Sequence, residues 1–374
     1  MKNGNISHEI QDALNELAPV LWPRAQVCSF SLHPLYGVGV TQDSIQKLPF
    51  VFGNSFVEKM KLGWRYFRKL KWLNKDPFSL KAILPKDAII FFRSNKGGLL
   101  VVSHEQNLAL KLFFTEEAKS LLEDEIKTLH FLGSTSFAPY TANLVKHGTS
   151  KNGGRWVATT FCENSHPLNL EADHDRYLLN HMDQMVMPIM THFYKAYRVD
   201  ALDLGQWLKL AHERAQKLNF MEDVKPLFKI IEKESLRFPM YKVLKGQIHH
   251  DIHAGNILRD EKRVVIIDWE GSTQGLILID VFDFLRRVVT HQKSFWHFLG
   301  SNVSAPQEVV GIFKFYRQWA QENFEVEIPD GSERLTLFVY VLERIFLLGE
   351  KRNINRLKDK SSFEYKAYQT SLNL

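Results

Sequence analysis

Cysteine is nearly absent from this chain. Only Cys28 and Cys162 occur among 374 residues, far apart and without C-x-x-C spacing, which argues against a disulfide framework and a cysteine-rich zinc site. No uninterrupted run of about eighteen apolar residues occurs, the length a membrane-crossing helix needs. The opening MKNGNISHEIQDALNELAPVLW carries acids where a secretory signal needs an apolar stretch, so a cytoplasmic protein is expected. No G-x-x-x-x-G-K-[ST] is present, and neither an internal repeat nor a low-complexity tract appears. Net charge is also scarce outside one stretch. The 48 Lys and Arg against 42 Asp and Glu leave +6. Between Lys59 and Lys81, however, eight basic residues face one acid, Asp76, so the remainder is nearly neutral and nucleic-acid binding is not expected.

What is present is an ordinary soluble composition, 45% hydrophobic and 24% charged, long enough to bury more than one core. Three regions are read. Residues 1–85 form an N-terminal extension holding a short amphipathic helix, Ile10 to Leu21, and the basic aromatic stretch FVEKMKLGWRYFRKLKWLNKDPFSLK. Residues 86–163 are strand-rich: AIIFF, GLLVV and LALKLFF are short apolar runs separated by the turn-forming SNKGG and HEQN, and GGRWVATTFCEN adds another strand. Between them lies one helix, TEEAKSLLEDEIKTLHFLG, with Thr115 as N-cap, Leu121, Leu122, Ile126, Leu129 and Leu132 on one face, and Gly133 as its stop. Residues 164–374 read mainly as helices.

One stretch of the third region resembles neither a core nor a solvated loop: QIHHDIHAGNILRDEKRVVIIDWEG. Asp251 is followed five residues later by Asn256, and twelve residues after that by Asp268, at the polar end of a buried strand, Val264 to Ile267. RDEK supplies the turn of a hairpin that returns the last acid to the first two groups. Moving a γ-phosphoryl group to a hydroxyl needs a carboxylate at the attacking oxygen, oxygen ligands for magnesium and a cation on the remaining phosphates. The order of residues matches that requirement.

HHDIHAGNIL followed by VVIIDWE resembles the catalytic region of the aminoglycoside phosphotransferase and choline kinase group. The resemblance covers roughly Asp87 to the helices after Asp283 and implies an α+β, bilobal protein-kinase-like fold. It would have a small antiparallel-sheet lobe with one helix and a larger, mainly helical lobe. It implies Asp251 as catalytic base or orienting carboxylate, His249 as a brace of its loop, and Asn256 and Asp268 as magnesium ligands. It further implies Lys111 in LALKLF as the phosphate-binding lysine, Glu125 as its partner on the helix in preference to Glu117 and Glu123, and adenine contacts near Phe161 to Glu163. Gly97 and Gly98 fit either a phosphate-covering loop or a plain hairpin turn. His250, where the group often has glycine, and His253 read as loop-packing residues. Asp280 and Asp283 read as helix-capping acids, Asp280 being the one the resemblance sets under the catalytic loop.

Only eleven residues separate Asp268 from Asp280 and no Ala-Pro-Glu follows, so a peptide-docking segment of the protein-kinase kind has no room. The expectation is therefore an ATP- and magnesium-dependent phosphotransferase acting on a hydroxyl of a small molecule, a sugar or amino sugar, such as an envelope glycan precursor. An aminoglycoside or choline-type amino alcohol kinase and a non-catalytic kinase-like nucleotide- or partner-binding module are the alternatives. The Lys59–Lys81 stretch, with Trp64, Tyr66, Phe67, Trp72 and Phe78 among its cations, suits peripheral contact at the inner membrane surface or a solvated helix face. Oligomeric state is not read from the sequence.

Overall fold

The computed structural model describes residues 3–33, 38–40, 79–93, 97–161, 166–167, 186–219, 221–259, 264–288 and 307–350. The chain divides into two compact units, Met1–His166 with Leu258–Glu270, and Pro167–Ile257 with Gly271–Leu374.

The first unit is built on eight antiparallel strands: β1 (Gln26–His33), β2 (Val38–Val40), β3 (Ser79–Leu84), β4 (Ile89–Arg93), β5 (Gly98–Ser103), β6 (Leu108–Phe113), β7 (Leu144–Thr149) and β8 (Arg155–Thr160). Their order across the sheet is β3-β1-β2-β4-β5-β6-β8-β7. Two helices, α1 (Asn3–Leu21) and α2 (Glu116–Gly133), cover opposite faces. The two-residue period of β6 and β8 shows how. Leu108, Leu110, Leu112, Trp156 and Ala158 join Ile10, Leu14 and Leu17 of α1 in one core, whereas Phe113 and Val157 point the other way and join Ala118, Leu122 and Ile126 of α2.

The described parts of residues 1–85 thus continue the sheet rather than stand apart from it; β1 pairs with β3 from Gln26 opposite Leu84 to Ser31 opposite Ser79. The alternation in QVCSFSLH is blurred because Val27 is exposed while Cys28 and Phe30 are buried. β7 likewise lacks an apolar face, being mostly exposed, and its pairing with β8 slips between Leu144 and Lys146. The expected helix is α2, with Thr115 as N-cap accepting from the Ala118 N–H at 3.4 Å. Gly133 does not stop it but lies within its last turn, and Ser134 is the C-cap.

The second unit carries the helices Met187–Ala196, Leu204–Lys217, Met221–Ser235, Leu278–Val288, Gln307–Phe324 and Glu333–Glu350. A three-stranded antiparallel sheet, Asp200–Asp203, Lys242–Ile248 and Thr273–Leu276, lies among them. Helix Glu333–Glu350 is buried on every side from Leu335 to Gly349, as its sequence LTLFVYVLERIFLLG requires. The middle strand ends at Ile248, opposite Thr273, and hands the chain to His249–Asp251. The architecture is α+β, with a sheet-rich N-terminal part and a helical C-terminal part. No helix among the described residues is long and apolar enough to cross a membrane.

Candidate active site

Within the first unit a lysine and three carboxylates converge. Lys111 sits on the α2 face of β6 between buried Leu110 and Leu112, which point to the opposite face. Its Nζ donates to both oxygens of Glu125 at 2.9 Å and to Asp268 Oδ1 at 2.5 Å. Glu125 is 3% exposed and occupies the buried stripe of α2 with Leu122, Ile126 and Leu129. Of the two other acids considered on that helix, Glu123 pairs instead with Arg155 at 2.6 Å.

Asp268 follows the strand Val264–Ile266 and has φ +68°, a backbone region where a side chain crowds its own carbonyl. The turn is anchored by Trp269, fully buried, whose Nε1–H donates to the Ile266 carbonyl at 3.0 Å and whose ring meets Phe137 edge-on. Asp268 and Glu270 flank that anchor, and one oxygen each from Glu125, Asp268 and Glu270 lies within 4.8 Å of the others. Glu270 is not among the site residues the motif implies but belongs to this cluster, and the D-x-E spacing around a buried tryptophan is the sequence signal for it.

The electrostatics follow from burial and crowding. Desolvation pulls the Lys111 ammonium down, but Asp268, Glu125 and Glu270 outweigh it and hold the lysine above its ordinary pKa. Burial pushes the Glu125 carboxyl up, Lys111 pulls it back, and Asp268 and Glu270 push it up again, to about 7.

In the second unit His249, fully buried, and His250 donate their backbone N–H groups to Asp280 Oδ2 and Oδ1, each at 2.7 Å. The Tyr194 hydroxyl donates to the same Asp280 at 3.0 Å. Burial pushes the Asp280 carboxyl up to about 7 against these three hydrogen bonds. The His249 ring accepts the Asp251 N–H at Nδ1, 3.3 Å away. Asp251 keeps a half-exposed side chain, 47% accessible, with His253 Nε2 3.9 Å from its Oδ2. Asn256 is buried and donates from Nδ2 to the Asp251 carbonyl at 2.9 Å, so its Oδ1 is turned away from that bond. The structure therefore gathers His249, Asp251 and Asn256 in one loop of this unit and Lys111, Glu125 and Asp268 in one cluster of the other.

Gly97 and Gly98 have steric reasons of their own. Gly97 has φ +56°, and a Cβ on Gly98 would meet the Leu112 carbonyl at 2.0 Å. Phe161 follows β8, donates its N–H to the Asn107 carbonyl at 3.0 Å and meets His104 edge-on. Glu163 and residues 59–78 of the basic stretch lie outside the described residues. The acids Glu343 and Glu350 of the helical unit both pair with Arg214, at 2.8–2.9 Å and 3.0–3.1 Å.

A model of the phosphotransferase enzyme family matches residues 94–297, more than half of the chain. No curated protein matches it. Among solved structures, similarity is found to amicoumacin kinase hAmiN in complex with AMP-PNP, Ca2+ and Ami, at 14% identity over 77% of this chain and 89% of that one, TM-score 0.46. Choline kinase LicA from Streptococcus pneumoniae is 13% identical over 74% of this chain and 88% of its own, TM-score 0.43. The GDP complex of a mutant aminoglycoside 2'-phosphotransferase-IIIa is 14% identical over 74% and 87%, TM-score 0.45.

Proposed function

The chain belongs to the phosphotransferase enzyme family, and from that premise we propose that it transfers the γ-phosphoryl group of ATP to a hydroxyl of a sugar or amino sugar. The observation that carries the nucleotide half is the Lys111 ammonium, held by Glu125 and reached by Asp268. A flexible lysine makes a defined phosphate contact only when a fixed carboxylate aims it, and Glu125, buried on α2, is fixed. Adenine would meet backbone near Phe161 to Glu163, and Gly97 and Gly98 would lie over the phosphates, Gly98 opening β5, which pairs with the strand of Lys111.

The donor set fits magnesium. Carboxylate oxygens lie together at Glu125, Asp268 and Glu270, and Asn256 has its amide oxygen turned from its hydrogen-bonded side, all hard ligands of the kind that ion takes. Asp268 and Asn256 would hold it. A bound divalent ion supplies charge neutralisation on the phosphates. Asp251, half exposed with its backbone pinned by His249, orients the acceptor hydroxyl and takes its proton as the new O–P bond forms.

For the acceptor, the short span from Asp268 to Asp280 supports a small molecule over a peptide. The engagement of both Glu343 and Glu350 by Arg214 supports a sugar over a polycationic aminoglycoside or choline-type amino alcohol, since one guanidinium halves the charge these acids would offer a cation. An envelope glycan precursor fits a cytoplasmic enzyme touching the inner membrane surface through Lys59–Lys81. Deleting residues 1–80 would then reduce binding to anionic liposomes, and unchanged partition would end that part of the reading. Asp251→Ala is expected to abolish ATP turnover while nucleotide affinity stays within about threefold, an interaction lost only from the transition state. Retained turnover would instead favour the second reading, a non-catalytic nucleotide-binding module.

A further inference from the structure

We propose that Arg344 is a positioning residue for Asp251, acting through the imidazole of His250, an inference that rests on the reading of Asp251 as the group facing the acceptor. The starting point is the backbone. His250, between His249 and Asp251, has φ +71°, which crowds Cβ of any residue but glycine against the neighbouring carbonyl. A side chain kept in that conformation must be held there, because the strain otherwise relaxes by turning the peptide and re-aiming the next residue.

Contacts to two residues bear on this. The His250 N–H donates to Asp280 Oδ1 at 2.7 Å, and its ring Nε2 lies 3.4 Å from Arg344 Nη1. A guanidinium has donors and no acceptor, so the ring accepts at Nε2 and carries its hydrogen on Nδ1. Arg344 is itself fixed: the same Nη1 donates to Asp283 Oδ2 at 2.7 Å, and Asp283 Oδ1 accepts from the Tyr340 hydroxyl at 2.5 Å. Tyr340 and Arg344 are one turn apart on helix Glu333–Glu350, and Asp280 and Asp283 one turn apart on helix Leu278–Val288. One turn of the second helix thereby grips the loop twice, by its backbone through Asp280 and by a side chain through Asp283 and Arg344.

All four side chains of the second grip are buried, His250 and Arg344 at 7% and 6% exposure, Tyr340 and Asp283 at 1% and 0%. A buried ion pair contributes little net stability over an apolar pair of the same shape, so stability alone gives a weak account of an arginine in a helix buried all round. The geometry points to orientation of the loop.

A double-mutant cycle tests this with Arg344→Lys, His250→Gly and the pair, in the full chain, lysine keeping a charge for Asp283. Two readouts are taken: amide hydrogen exchange over residues 249–251, and ATP turnover with the nucleotide KM. Arg344→Lys is expected to speed exchange and to lower kcat about tenfold, equivalent to ~1.4 kcal/mol in the barrier, with KM unchanged. In the His250→Gly protein, where glycine accepts the left-handed turn unaided, the same substitution should change either readout by less than about twofold. Equal losses in both backgrounds would show that Arg344 only balances Asp283 and would overturn the proposal. Should Arg344→Lys fail to fold, imidazole nitrogen shifts of His250 in the wild type decide: hydrogen on Nδ1 supports the contact, hydrogen on Nε2 refutes it. Absence of turnover in the wild type would count against the reading of Asp251, while the exchange data would still judge Arg344.

Discussion

Replacing Lys111 with methionine isolates the electrostatics of the carboxylate cluster, because methionine keeps most of the length of the side chain and removes its charge. Glu125 is nearly buried, and its pKa, raised by burial and by Asp268 and Glu270, stands at about 7 with Lys111 in place. A carboxyl whose folded value lies above its unfolded one contributes stability that is fully present below the unfolded value, about 4.3, and is lost as pH rises through the folded value. In the wild type that loss ends near pH 7. Without Lys111 the carboxyl titrates higher still, so the loss continues into alkaline solution at about 1.4 kcal/mol per pH unit. The deficit of Lys111→Met is therefore expected to be about 2 kcal/mol larger at pH 8.5 than at pH 6, the lost Asp268 contact weighing alike at both. Urea unfolding at the two pH values, with Lys111→Met/Glu125→Gln as the control that removes the dependence, measures it. A deficit of the same size at both pH values would refute the reasoning.

Other consequences follow from single contacts. Gly98→Ala forces a Cβ to within 2.0 Å of the Leu112 carbonyl across paired strands, and a loss of more than about 2 kcal/mol is expected by thermal denaturation. Gly133→Ala, in the last turn of α2 with no heavy atom within 4 Å of the added carbon, should instead gain about 0.5–1 kcal/mol, and a loss there would contradict the helical assignment. Thr115→Ala removes the N-cap of α2 and should cost about 0.5–1 kcal/mol, the low end because the bond is 3.4 Å long. Asp268→Asn should abolish the magnesium dependence of nucleotide binding, read by titration calorimetry with and without the ion; a wild-type response would remove Asp268 from the ligand set.

The legible parts of this protein were those where one local rule dominates. Strands AIIFF, GLLVV and LALKLF stood out as short apolar runs set between turn-forming residues, and the helix after Thr115 because its apolar residues recur on one face. The chemistry-bearing stretch from His249 to Asp268 stood out for the opposite reason, since polar residues in that order have no packing explanation. What stayed hidden depends on contacts distant in sequence. β1 joins β3, with Ser31 opposite Ser79 and Gln26 opposite Leu84, across a long intervening segment, and its exposed Val27 masks the alternation. Arg344 sits in an apolar helix and becomes intelligible only once Asp283 and His250 are seen beside it. Glu343 and Glu350 likewise find their partner far away in sequence, both pairing with Arg214 more than a hundred residues earlier.

The central claim is that Asp251 promotes transfer of the ATP γ-phosphoryl group to a small hydroxylated acceptor. The most direct measurement is transfer of γ-labelled phosphate to a panel of sugars, amino sugars, aminoglycosides and amino alcohols, run side by side with wild type and Asp251→Asn. Label in a sugar or amino sugar with the wild type, and none with the variant, is the predicted result. Equal labelling by the two proteins, or tight ATP binding with no labelled product from either, would contradict it.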